Sequence, residues 1–180
     1  MDPVYERNTV LSTLQTATTR LEQAIHVRLI RPEGVSFGYA LRGARDNGSV
    51  AAVQDGITSR AGGKVIAGPC LFGTDEPVVR PILTAMKFNP LVRSAALLQF
   101  SDRALMVFQN DLFLDCASLG MASKNQGIDT MDWNIASCCK DGIPDVIFRK
   151  SASEKESLLL LYGESPADVA NNIIICSNRI

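Results

Sequence analysis

The residues of this chain with chemical potential gather around one short segment. In Phe72-Gly73-Thr74-Asp75-Glu76-Pro77 a glycine and a threonine precede two carboxylates, and a helical apolar face follows at Val78, Val79, Ile82, Leu83 and Met86. Thr74 or Asp75 is the expected N-cap of that helix. The Gly73 backbone and the Thr74 hydroxyl, at the positive helix end, then form a natural seat for a phosphate. Asp75 and Glu76 act against that seat, because two carboxylates already complement the helix dipole. Pro81 inside the run cannot donate its backbone hydrogen bond, which predicts a kink or a restart. Lys87, at the far end, is either a cation for a ligand or a solvated helix end.

No general catalytic motif stands elsewhere. G-x-S-x-G, H-E-x-x-H, the P-loop and G-x-G-x-x-G are all missing. The one histidine, His26, falls in a strand-like run and is expected to be a satisfied, partly buried side chain rather than a base. Trp133, beside Asn134, is packing or a stacking surface. The five cysteines (Cys70, Cys116, Cys138, Cys139, Cys176) are odd in number and show no C-x-x-C spacing. That argues against a disulfide framework or a structural zinc site, and for reduced thiols packed as small hydrophobes in the cytoplasm.

Charged residues make up 21% of the chain and the formal net charge is −1, with no dense basic run. Direct nucleic-acid binding is therefore not expected. The polar N-terminus lacks the apolar core of a signal peptide. No apolar run approaches the roughly 18–20 residues that span a bilayer, so no membrane association is expected. The expectation is a single cytoplasmic domain over residues 1–180.

The elements that must position these residues follow from periodicity. Residues 4–25 have helical spacing, and alternating or apolar runs predict strands at 26–30, 35–41, 50–53, 64–70, 94–100, 104–113, 145–149 and 158–162. Arg31–Gly34 and Asp55-Gly56 are turn signals, and a polar stretch over 123–129 precedes a short helix near Trp133–Lys140. Ser165 as N-cap, Pro166 and Asp168 start a last helix. Many strands without regular βαβ alternation predict an α/β fold with a mixed, mostly antiparallel sheet covered by helices on both faces.

One ordered set of segments is more specific. It comprises Val50-Ala51-Ala52-Val53 with Gly56-Ile57, then Gly68-Pro69 with Phe72-Gly73. Ile82-Leu83-Thr84-Ala85-Met86-Lys87 with Pro90 and Val92-Arg93-Ser94-Ala95 comes next, and Gly142-Ile143-Pro144-Asp145-Val146-Ile147-Phe148 closes it. This succession resembles the archaeal-type thiamine-phosphate synthase (ThiN) family. The resemblance implies a three-layer α/β/α sandwich related to class II aldolases. It also implies the joining of a pyrimidine diphosphate to a thiazole phosphate, in a domain often fused behind a hydroxymethylpyrimidine kinase.

Two positions depart from that pattern. Where the family's synthases carry a catalytic arginine this chain has Gly56, and where they carry a catalytic histidine it has Pro77. A cation would stabilise a leaving diphosphate and an imidazole would handle a proton; glycine and proline do neither. Ser151-Ala152-Ser153-Glu154 replaces a glycine-rich turn before Lys155. ThiN-like domains also serve as ligand-sensing parts of archaeal thiamine regulators. The resemblance thus implies a non-catalytic ThiN-like domain that binds thiamine phosphate or a related phosphorylated thiamine compound, with no cofactor required. Without room for a helix-turn-helix it would be an isolated sensor or a fragment of a larger regulator. Its expected lining is Gly73, Thr74, Lys87 and Lys155 for phosphate and charge, and Asp115 or Trp133 for the heterocycle. The alternatives are a synthase working through other residues, with a divalent metal possible, and a structural domain without ligand. A homodimer is compatible with each.

Overall fold

Asp2 begins the first helix, α1 (Pro3–Ala24), by accepting the Val4 N–H at 3.0 Å, and Pro3 takes the first helical position. Val10, Leu14, Ala17 and Leu21 recur on one face of α1 and are buried. The computed structural model describes residues 2–119 and 130–180. In chain order the strands are β1 (Ser36–Ala40), β2 (Val50–Val53), β3 (Ile57–Ser59), β4 (Val65–Ala67), β5 (Cys70–Phe72), β6 (Ser94–Leu98), β7 (Cys116–Ser118), β8 (Val146–Arg149) and β9 (Leu158–Gly163). The later helices are α2 (Val79–Phe88), α3 (Asp102–Met106), α4 (Thr130–Cys139) and α5 (Pro166–Ser177).

Seven strands form one sheet in the order β5-β2-β1-β6-β9-β8-β7. Every pairing is antiparallel except β7 with β8, and β3 and β4 make a separate hairpin. Because side chains alternate along a strand, the sheet sorts its apolar residues into two cores. Phe37, Ala51, Val53, Ala96, Leu98, Leu159 and Leu161 face α1 and α5. Ala52, Ala95, Leu97, Leu160 and Tyr162 face α2 and α4. The result is the mixed, mostly antiparallel three-layer arrangement expected from the sequence.

Two contacts seat α2 on the sheet. A Cβ at Gly38 of β1 would lie 3.0 Å from Val78 Cγ1 and 3.1 Å from Ile82 Cδ1, so glycine there admits the helix at close range. The buried Tyr162 hydroxyl donates to the Pro81 carbonyl at 2.7 Å, and burial pushes its pKa well above the ordinary value. Since α2 begins at Val79, Pro81 lies in the first turn, where its missing N–H costs no intrahelical bond. The expected kink or restart at Pro81 is not seen, because α2 runs unbroken from Val79 to Phe88.

Other expectations need correction. Residues 26–30 form no strand: Val27–Leu29 is a single 3₁₀ turn capped by His26, whose Nδ1 accepts the Arg28 N–H at 3.1 Å. Residues 104–113 are not a strand either. Ser101 caps α3 through the Ala104 N–H, and a wide π-type turn, Val107–Asp111, continues it. The run 64–70 is split at Gly68-Pro69, with β4 in the hairpin and β5 on the sheet edge. The helix α4 starts at Thr130, so Trp133 is not at its start. The polar stretch 123–129 lies outside the described residues.

Candidate ligand-binding furrow

Three clefts that share lining residues run beside α2. The first, about 220 Å³, opens at the sheet end where β1 begins and β2 and β6 finish; Arg31, Ser36, Asp55, Gly56, Glu76, Pro77 and Leu97 line it. The second, about 500 Å³, shares Glu76 and Pro77 and adds Asn47, Thr74, Asp75, Arg80 and Leu83. The third, also about 500 Å³, shares Leu83 and adds Gly43, Ala44, Arg45, Met86, Lys87 and Pro90. The larger two fall in the range typical of small-molecule sites.

The segment between β5 and α2 is tied down along this furrow. Gly73 N–H donates to the Asn47 carbonyl at 3.1 Å, and Asn47 Nδ2 donates to Asp75 Oδ1 at 3.3 Å. Glu76 Oε1 accepts the Asp55 N–H at 2.9 Å. The N-cap of α2 is Val78, which has no capping side chain, and its N–H goes to Ser36 Oγ at 3.1 Å. Neither Thr74 nor Asp75 caps the helix, so the geometry expected for a phosphate seat at Gly73 and Thr74 is not formed. Thr74 Oγ1 is buried and has no hydrogen-bond partner.

In the first cleft Arg31 is held with its side chain 11% exposed, paired to Glu33 Oε1 at 2.9 Å and reaching the Lys155 carbonyl at 3.4 Å. Burial lowers its pKa and Glu33 works the other way. A guanidinium stays charged under such shifts. Glu33, Asp55 and Glu76 supply three carboxylates against this one cation. Gly56 has φ +70°, and a Cβ there would stand 2.7 Å from the Val35 carbonyl oxygen. A side chain at position 56 therefore needs a shift of the backbone. His26 lies outside these clefts.

No thiol is poised as a nucleophile. Burial raises the pKa of all five cysteines, Cys116 and Cys139 to about 11 and Cys176 to about 12. They are protonated at neutral pH. Among the described residues no group of His, Cys, Asp and Glu is arranged to hold a metal ion.

Residues 13–175 match the family described as thiamine-phosphate synthase ThiN. The chain belongs to that family. A curated relative, the bifunctional thiamine biosynthesis protein ThiDN of Methanocaldococcus jannaschii, is 27% identical over 96% of this chain. The match covers 42% of the relative, so the chain spans about two fifths of its length. A solved structure of the C-terminal domain of phosphomethylpyrimidine kinase is 27% identical with a TM-score of 0.85, covering 95% of this chain and all of that one. A sugar-phosphate aldolase from Thermotoga maritima, 9% identical with a TM-score of 0.53 and coverage of 97% and 93%, shares the fold alone.

In this ThiN domain the expected site residues fall in different places. Gly56 and Pro77, separate in sequence, meet in the first cleft, and the Lys155 backbone is tied to the same spot through Arg31. Thr74 lines the second cleft and Lys87 the third. Asp115 stands at the opposite sheet end, where its N–H donates to Asp145 Oδ2 at 2.9 Å. Trp133 is 67% exposed on α4 and lines none of these clefts. Sequence reasoning missed Arg31, Ser36 and Arg45. Arg31 was hidden in a turn signal and Arg45 in a polar loop. No helix among the described residues is long and apolar enough to cross a membrane.

Proposed function

We propose that this ThiN domain binds thiamine phosphate or a related phosphorylated thiamine compound without synthesising it, as the sensing part of a regulator. The observation that carries this reading is the meeting of Gly56 and Pro77 in one cleft. The two positions at which the resemblance puts a catalytic arginine and histidine are neighbours in space, and neither side chain does acid–base or charge-stabilising work. The furrow beside them has the volume of a small-molecule site, which supports a binding role.

A second reading, synthesis of thiamine phosphate from hydroxymethylpyrimidine diphosphate and thiazole phosphate, is favoured by Arg31. It places a guanidinium beside Gly56, although Glu33 already neutralises much of it. Turnover assays with both substrates and magnesium, alongside calorimetric titration with thiamine, thiamine phosphate and thiamine diphosphate, separate the readings. Binding without product supports the sensor; product formation supports the synthase.

A further inference from the structure

The third cleft differs from its neighbours in charge and in floor. Leu83, Met86, Ala44 and Pro90 give it an apolar base, and its charged lining residues are Arg45 and Lys87, both cations. Neither cation makes an ion pair with another described residue. Both are exposed, whereas Met86 is 7% exposed and packs into the α2–α4 core. Such a surface suits a molecule with an anionic head and an apolar or aromatic body.

The wall carrying Arg45 is held before any ligand arrives. Leu41 N–H donates to the Ser49 carbonyl at 2.9 Å and Ser49 N–H to the Asp46 carbonyl at 3.1 Å. Glu6 of α1 accepts the Arg42 N–H at 2.9 Å, and Arg7 reaches the Gly48 carbonyl at 3.4 Å. A loop fixed on both flanks loses little further entropy on binding. The facing wall is the last turn of α2, whose free carbonyls carry partial negative charge. One cation there merely balances the helix end; two are needed to favour an anion.

We infer that the cleft between Arg45 and Lys87 is an anion subsite that takes an organic phosphate monoester, its body lying on Leu83, Met86 and Pro90. Placing the phosphate of a thiamine compound here rests on the binding reading above; the subsite itself does not. Leu83 also lines the second cleft, so a ligand seated by its phosphate extends toward Asp75 and Glu76. Those carboxylates suit a cationic or amine-bearing ring.

The test is calorimetric titration of the whole chain with phenyl phosphate, inorganic phosphate, thiamine and thiamine phosphate. Wild type is compared with Arg45→Gln, Lys87→Gln, the double variant, and Lys64→Gln as a control on the distant hairpin. Thermal melts check that each variant folds. Phenyl phosphate is expected to bind more tightly than inorganic phosphate, and the double variant to lose about tenfold or more for phosphate esters, as for a lost charge-assisted contact. Lys64→Gln and thiamine binding should be unchanged. Thiamine phosphate that binds wild type and the double variant equally overturns the subsite and leaves the binding reading standing. Phenyl phosphate binding that depends on both cations, with no thiamine compound bound, supports the subsite and overturns the binding reading. No binding of any probe at millimolar concentration overturns both.

Discussion

The two ends of the furrow are built from opposite electrostatics. At the Gly56–Pro77 end one largely buried guanidinium faces three carboxylates, of which Glu33 pairs with it and Glu76 accepts the Asp55 N–H. At the other end two exposed cations stand over an apolar floor with no carboxylate in the lining. The first end is wired into the fold through Ser36, Glu76 and Arg31. The second is a surface whose side chains make few commitments of their own. The Gly56–Pro77 cleft and the cation-lined cleft are therefore electrostatically distinct parts of one furrow.

Turnover to thiamine phosphate is expected to lie at least about 10⁴-fold below that of an active family synthase, since an acid–base group and a charge stabiliser each contribute 10²–10⁴-fold. A chromatographic assay showing rates within tenfold would overturn the binding reading in favour of the synthase. Stability distinguishes the ends next. Gly56→Ala should cost about 1–3 kcal/mol in urea unfolding, from its positive φ and the Val35 contact. Arg45→Ala should change stability by less than about 0.5 kcal/mol. Equal losses would erase the distinction between a structural end and a free one.

Ionic strength sharpens the contrast further. Raising salt from about 0.05 to 0.5 M should weaken thiamine phosphate binding by about tenfold if the phosphate sits at Arg45 and Lys87. Affinity that rises with salt would place the phosphate among the carboxylates instead. The smallest effect is expected from Asp75→Asn with Glu76→Gln, which keeps the acceptors for Asn47 and Asp55 while removing charge. It should alter thiamine phosphate affinity by only about two- to fivefold, in a direction that reports whether phosphate repulsion or ring attraction dominates there.

The sheet was legible where burial is one-sided or complete. Leu158–Tyr162 and Ser94–Leu98 are apolar because helices cover both faces, and their runs say so directly. The stretch 104–113 misled because its apolar residues are dense enough to mimic a buried strand. The buried Ala104, Val107 and Phe108 stand at helical spacing, and Ser101 three residues before Ala104 is a capping signal that would have identified the turn. Thr74 and Asp75 looked like caps because sequence cannot show that a strand hydroxyl, Ser36, meets the helix start. That Arg31 and Arg45 line clefts was equally invisible. It depends on which loops the sheet order brings beside α2, and no local pattern encodes that order.

The short outer strand β5 has a consequence for how the protein behaves at high concentration. It is three residues long, and the Arg7 guanidinium lies 4.0 Å from the centre of the Phe72 ring at its end. An unpaired strand edge is a template on which further chains can add, and brevity together with an overlying charge blunts it. On this side the sheet has no length to extend, so association by strand addition is disfavoured. The domain is guarded there against the fibrous aggregation that longer, flatter edges invite.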